Sequence, residues 1–349
     1  MEYRLNEKIR DLKPYDPISG YYPIRLDANE SFLDISNSMV SKILEASAFT
    51  SYNRYPDSLA ADLCRSFAAY YKVKPDCVTA GNGSDELISV IYNAFLMKGD
   101  AMMTVSPDFS MYRFYASIVE AKCIEYQKKA DLTIDVDELI AAAKKHDVKM
   151  IVFSNPCNPT SLGLEKTEVR RLIASVNALV VVDEAYMDFW NDSLLEEVEN
   201  YDNLIILRTC SKAFAMAGIR LGFAVASSGL TNALKAVKSP YNVNSLTQKI
   251  GCVILNEREF IRSSIAEIIA SKDMLYSEMK RIESSHSEEM HVYQSVTNFA
   301  YIQMKDAKKM YDVLLNAGIA VRFMGDSLRI TAGKTEENTE VVKAFEMAI

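Results

Sequence analysis

Leu204-Ile205-Ile206-Leu207-Arg208 runs directly into Thr209-Cys210-Ser211-Lys212-Ala213-Phe214, and Gly218-Ile219-Arg220-Leu221-Gly222 follows shortly after. The first segment is short, apolar and β-branched, which reads as a strand buried on both faces. Similar runs occur at Ala101–Val105, Met150–Ser154, Ala178–Asp183 and Gly222–Ala226. Helical patterns at Leu59–Tyr71, Asp85–Lys98, Val136–His146 and Lys166–Val176 lie among them. Buried strands alternating with helices imply an α/β fold: a mostly parallel sheet with crossover helices on both faces.

The pattern changes after Pro240. A long helical stretch spans Ser245 to about Ser284, then Thr297–Met304 reads as a strand and Lys308–Ala317 as a helix. Ile319–Phe323 and Ser327–Thr331 read as strands around a Gly325-Asp326 turn, and a last helix starts at Glu336. This predicts a large domain over residues 36–240 and a smaller α+β domain built from 1–35 and 241–349.

Composition narrows the function classes. A net charge of −8 makes the 349-residue chain a poor binder of nucleic-acid backbones. Six cysteines without a Cys-x-x-Cys pair, and three histidines, argue against a metal site and suggest reduced thiols. The charged stretch Met1–Lys13 lacks the apolar core of a secretion signal, and no apolar run is long enough to span a bilayer. The expectation is a cytoplasmic enzyme without membrane or nucleic-acid partners.

Five segments carry chemistry. Most lysines are solvated, but Lys212 lies among Ala213, Phe214 and Ala215, and a desolvated lysine is a nucleophile and Schiff-base former. Thr209, Ser211 and Arg220 supply hydroxyls and a fixed cation suited to a phosphate. A lysine beside a phosphate binder is what a pyridoxal-phosphate site requires. Asp183 ends the run Val180-Val181-Val182, where a carboxylate can face a pyridinium nitrogen in the crevice; a plain helix cap is the alternative use of a lone aspartate. Tyr186, three residues later, can reach the ring's phenolic oxygen. Asn155-Pro156-Cys157-Asn158-Pro159-Thr160 is a rigid loop that presents the Asn158 amide, unless it is merely a turn. Gly81-Asn82-Gly83-Ser84 opens a helix whose N-terminal amides suit an anion, although Ser84 also serves as an ordinary cap. Phe109 can stack on a flat ring or simply fill the core.

Taken in order, these segments resemble the fold-type-I pyridoxal-phosphate aminotransferases, and within them the histidinol-phosphate aminotransferase family. The resemblance spans nearly the whole chain. It rests also on Leu26-Asp27-Ala28-Asn29-Glu30, Arg54-Tyr55-Pro56-Asp57, Phe109-Ser110-Met111-Tyr112, Pro240-Tyr241-Asn242-Val243-Asn244 and Arg329-Ile330-Thr331. It implies catalytic roles for Lys212, Asp183 and Tyr186. It implies that Gly83, Ser84, Thr209, Ser211, Arg220 and the partner subunit's Tyr55 hold the cofactor phosphate, with Phe109, Asn158, Asp183 and Tyr186 around the ring. Tyr15, Asn158, Arg322 and Arg329 would meet the substrate. A homodimer with shared sites follows from the Tyr55 role.

The implied reaction is ping-pong transfer of an amino group between L-histidinol phosphate and 2-oxoglutarate in histidine biosynthesis. An aromatic amino-acid aminotransferase and a decarboxylase resembling threonine-phosphate decarboxylase are rivals, and a cofactor-binding regulatory module is a rival of another kind. Three features depart from the family pattern. Ser161 replaces a glycine after Asn158-Pro159-Thr160, which would shift the loop slightly. Ala215 stands where the lysine segment has another glycine. The stretch between Arg322 and Arg329 is short, which works against convergence of the two guanidinium groups.

Overall fold

The computed structural model describes residues 3–10, 12–14 and 18–349. Twelve strands are described: β1 Ile24–Leu26, β2 Val78–Gly81, β3 Ala101–Ser106, β4 Lys122–Gln127, β5 Met150–Ser154, β6 Leu179–Asp183, β7 Leu204–Thr209, β8 Gly222–Ala226, β9 Met290–Val292, β10 Phe299–Met304, β11 Ile319–Phe323 and β12 Ser327–Thr331. Seven form one sheet in the order β2-β8-β7-β6-β5-β3-β4. All pairings among β3 to β7 are parallel, and β8 runs antiparallel to both β7 and β2.

Alternation along these strands feeds two cores. Val180, Val182, Leu204 and Ile206 pack on one face with the helices Ala61–Tyr71 and Lys166–Ser175. Val181, Ile205 and Leu207 pack on the other with the helix Gly83–Phe95. Full burial of such side chains contributes about 1.5–3 kcal/mol each before chain entropy is counted. That is why these short runs are apolar at consecutive positions.

The other five strands form a sheet in the order β1-β11-β12-β10-β9, which adds a parallel N-terminal strand to an antiparallel ladder. The expected single helix from Ser245 is two, Ser245–Asn256 and Arg258–Ser285, broken at Glu257. The longer one spans both cores: Ile261 and Ile268 serve the first sheet, Leu275 and Met279 the second. Strands β1, β2, β4 and β9 fall outside the expected set. Strand β4 is half solvated at the sheet edge and reads Lys-Cys-Ile-Glu-Tyr-Gln, without an apolar run. No helix among the described residues is long and apolar enough to cross a membrane.

Candidate active site

Strands β2, β3, β5, β6 and β7 all end at one edge of the large sheet, and β8, running the other way, begins there. Ligands of open α/β sheets bind at that edge because loops there are free to diverge. The edge gathers the Gly83 helix start, Phe109, the Asn158 loop, Asp183, Lys212 and Arg220 from widely separated parts of the chain.

One end of the edge is an anion cup. Gly222 pairs with both Gly81 and Thr209, and a Cβ there would lie 2.6 Å from the Ser84 nitrogen. Only a glycine lets β8 start so close to the helix N-terminus. Gly83 has φ +78, and a Cβ on it would lie 2.7 Å from an Arg220 nitrogen. Arg220, itself left-handed at φ +51, donates from Nη1 to Ser211 Oγ at 3.3 Å. Thr209 Oγ1 donates to Ser211 Oγ at 3.0 Å and accepts from the Ser211 amide at 3.1 Å. Helix amides, two hydroxyls and a guanidinium converge here, the donor set a phosphate ester requires. Asp85 balances Arg220 at 3.6 Å, with both side chains about half exposed.

The other end is dry. Asp183 is buried, with Oδ1 accepting from the Ala185 amide at 3.2 Å and Oδ2 from the Tyr112 hydroxyl at 2.9 Å. Burial, which disfavours the charged form, pushes its pKa up to about 7, and the Asp85 and Asp108 carboxylates add to this against the lowering effect of Tyr112. Behind Asp183, on the opposite face of the strand ends, Arg208 meets Glu184 at 2.8 Å and Asp188 at 2.9 Å. Tyr71 donates to Asp188 at 2.7 Å, and its ring lies 4.9 Å from the Arg208 guanidinium.

Lys212 stands between the two ends, its Nζ donating to the Ala28 carbonyl at 3.0 Å. Burial first, and then the positive charges of Arg329 and Arg220, bring its pKa down to about 8. A fraction of the amine is therefore neutral near pH 7 and able to attack a carbonyl. Tyr186 is buried, and its hydroxyl accepts from Asn29 Nδ2 at 2.8 Å. Phe109 meets Tyr112 edge-on at 5.5 Å and is half-buried, so its face is available to a flat ligand.

Arg322 and Arg329 are direct partners across the β11–β12 ladder. Opposed residues of an antiparallel pair share a face, so the short intervening turn brings the two side chains together. Arg329 donates to Asn158 Oδ1 and to the Asp27 carbonyl, both at 2.6 Å. With its oxygen held there, the Asn158 amide directs its NH2 end away from Arg329. Tyr15 lies outside the described residues. Tyr55 is 80% exposed within the chain and stacks on Tyr241 at 4.5 Å.

Both positions that depart from glycine keep left-handed backbone, Ser161 at φ +67 and Ala215 at φ +55. Such residues cost on the order of 1 kcal/mol or more. Ser161 recovers an interaction by accepting from Thr297 Oγ1 at 3.2 Å, which ties the Asn158 loop to the residues before β10. Site residues that motif reading passed over are Tyr112 and Asn29. Asn29 links Tyr186 to Thr331 and takes a bond from Asn298 on its carbonyl. Both sit inside quoted motifs, and the i, i+3 spacing from Phe109 to Tyr112 was the available signal.

Known proteins resemble the chain over nearly its whole length. The family model for aminotransferase class I and II matches residues 22–345. A histidinol-phosphate aminotransferase of Clostridium novyi is 39% identical over 97% of this chain and 95% of its own. One from a Thermoanaerobacter species is 35% identical over 99% and 98%. The crystal structure of histidinol-phosphate aminotransferase from Sinorhizobium meliloti in complex with pyridoxal-5'-phosphate superposes with a TM-score of 0.88 at 21% identity, covering 99% of this chain and 97% of that one.

Proposed function

The chain belongs to the class I and II aminotransferases, and from that premise we propose that it transfers an amino group between L-histidinol phosphate and 2-oxoglutarate in histidine biosynthesis, with pyridoxal 5'-phosphate as cofactor. The observation that carries the substrate assignment is the Arg322–Arg329 pair on one face of the smaller sheet, tied through Asn158 to the site edge. Two arginines on one face suit a phosphate or the distal carboxylate of glutamate in turn.

Bound pyridoxal phosphate supplies a carbonyl that takes up the amino group and a protonated ring that draws electrons from the substrate Cα. Ser211, Thr209, Arg220 and the amides at Gly83 and Ser84 would hold its phosphate. Asp183 would hold the ring nitrogen, Asn158 and Tyr186 the phenolic oxygen, and Phe109 the ring face. Lys212 would hold the cofactor through its Nζ, which can condense with the carbonyl group with loss of water. Once freed by the incoming amine, its Nζ would be the base that takes the proton from the substrate Cα and the acid that returns it. Burial of Asp183 and Tyr186 excludes water from the ring end.

We read the working form as a cytoplasmic homodimer. Phe49, Tyr52, Tyr55 and Leu59 are exposed large apolar residues close together in sequence, and Tyr241 stacks on Tyr55. Such an apolar patch marks an interface, and a two-fold copy would bring Tyr55 to the neighbouring phosphate cup. Residues 36–240 and the remainder are read as two units, joined by the helix Arg258–Ser285, whose Ile261 and Ile268 pack into the larger one. Half-reaction kinetics with histidinol phosphate, phenylalanine and threonine phosphate test the substrate assignment. Preference for phenylalanine, or release of carbon dioxide from threonine phosphate, would refute it. Sedimentation at micromolar concentration tests the dimer, and an active monomer would exclude a shared site.

A further inference from the structure

Asp183 is the buried carboxyl on which the proposed cofactor site depends, and no ion pair to it is found among the described residues. The groups facing it from neighbouring elements are the Asp85 and Asp108 carboxylates and the hydroxyl of Tyr112. Two donors reach it: the Ala185 amide on Oδ1, from its own loop, and the Tyr112 hydroxyl on Oδ2 at 2.9 Å. Tyr112 opens the helix Met111–Ile118 beyond β3 and is fully buried against Leu87, Ile88 and Val181. Burial, and then Asp183 and Asp108, push its own pKa well up, so the phenol keeps its proton wherever the chain is folded. It is therefore a permanent donor with one direction to point.

We propose that Tyr112 is a positioning residue for Asp183: its hydroxyl holds Oδ2, fixes the plane of the carboxylate and favours its ionised form for the cofactor's ring nitrogen. The proposal rests on the reading of Asp183 as the partner of that nitrogen. One turn of chain then carries both controls on the ring, since Phe109, three residues earlier and 5.5 Å away, presents the stacking face. A hydrogen bond to an ionised group contributes about twice a neutral one. Its loss should reach the reaction through the electron-withdrawing power of the ring and leave substrate binding alone.

The test uses full-length protein, with and without cofactor. Tyr112→Phe removes one oxygen from a buried site and keeps the ring. Without cofactor, carbon-13 carboxyl NMR should find Asp183 titrating near pH 7, with the midpoint moved upward in Tyr112→Phe. Incorporating 3-fluorotyrosine at position 112 makes a stronger donor and should move it downward. With cofactor, kcat should fall about tenfold or more with KM within about twofold, and the acid limb of the kcat profile should shift to higher pH. A Tyr112→Phe protein whose titration and kcat profile match the parent overturns the proposal. So does one that only loses thermal stability, which would make Tyr112 a packing residue. Asp183→Asn with normal kcat would defeat the cofactor reading instead, and the carboxyl titration would still report whether Tyr112 acts on Asp183.

Discussion

The two ends of the site edge solve opposite problems. The anion cup is made of helix amides, hydroxyls and Arg220, a side chain about half exposed and already balanced by Asp85. The acid end is made of Asp183, Tyr112 and, behind them, the Glu184–Arg208–Asp188 cluster, all nearly closed to water. At the cup, Arg220 and Asp85 are screened by solvent and the buried Thr209 and Ser211 hydroxyls share the load, so losing Arg220 is survivable. At the acid end, each group has one or two partners in a low-dielectric setting, so removing one leaves another uncompensated.

The largest expected effect lies between the two ends. Lys212→Ala should lower transamination by roughly 10³-fold or more, because Lys212 is the amine proposed both to bind the carbonyl and to move the proton; steady-state assay and loss of the visible cofactor band check it. Asp183→Ala breaks the dry end and should cost on the order of 10²- to 10³-fold in kcat with cofactor still bound. An unchanged kcat would remove Asp183 from the chemistry.

Arg329→Ala shows whether the substrate anion pocket behaves like the dry end. Arg329 is buried and bonded to Asn158, so kcat/KM should drop about 100-fold in both half-reactions. Arg322→Ala should impair histidinol phosphate at least as much as glutamate. Arg220→Ala breaks the cup and should weaken cofactor binding by only about tenfold, with an effect that shrinks as salt is raised. Equal salt sensitivity for Arg220→Ala and Arg329→Ala would erase the distinction between screened and dry sites.

The smallest effect is on stability without cofactor. The Asp183 pKa is raised from 3.8 to about 7, so the folded chain binds a proton there more tightly than the unfolded one. The stability contributed by this group is complete below about pH 4 and is lost as pH rises through 7. Denaturant midpoints at pH 5 and pH 8 should differ accordingly, and Asp183→Asn should flatten part of that difference.

Much of this was legible in the chain itself. Consecutive apolar residues such as Val180-Val181-Val182 specify a strand buried on both faces, because burial on two sides leaves no position for a polar residue. Lys212 after β7, Asp183 at the end of β6 and Gly83 with its positive φ are local signals, since the backbone and the strand end impose them within a few residues, whereas Gly222 is required by the distant helix start at Ser84. Other features had no local signature. Strand β4 is an edge whose pairing with β3, not its composition, makes it a strand. The break at Glu257, where the backbone turns to φ −93 and ψ 64, falls at a residue with no helix-breaking side chain. The shared face of Arg322 and Arg329 depends on a ladder register that a one-residue slip would reverse. The bonds from Tyr112 to Asp183 and from Asn29 to Tyr186 join residues 71 and 157 positions apart. Such pairings are settled only when tertiary packing excludes water and leaves each polar group one partner to choose, which is why the chain could suggest candidate reacting residues but not the residues that hold them.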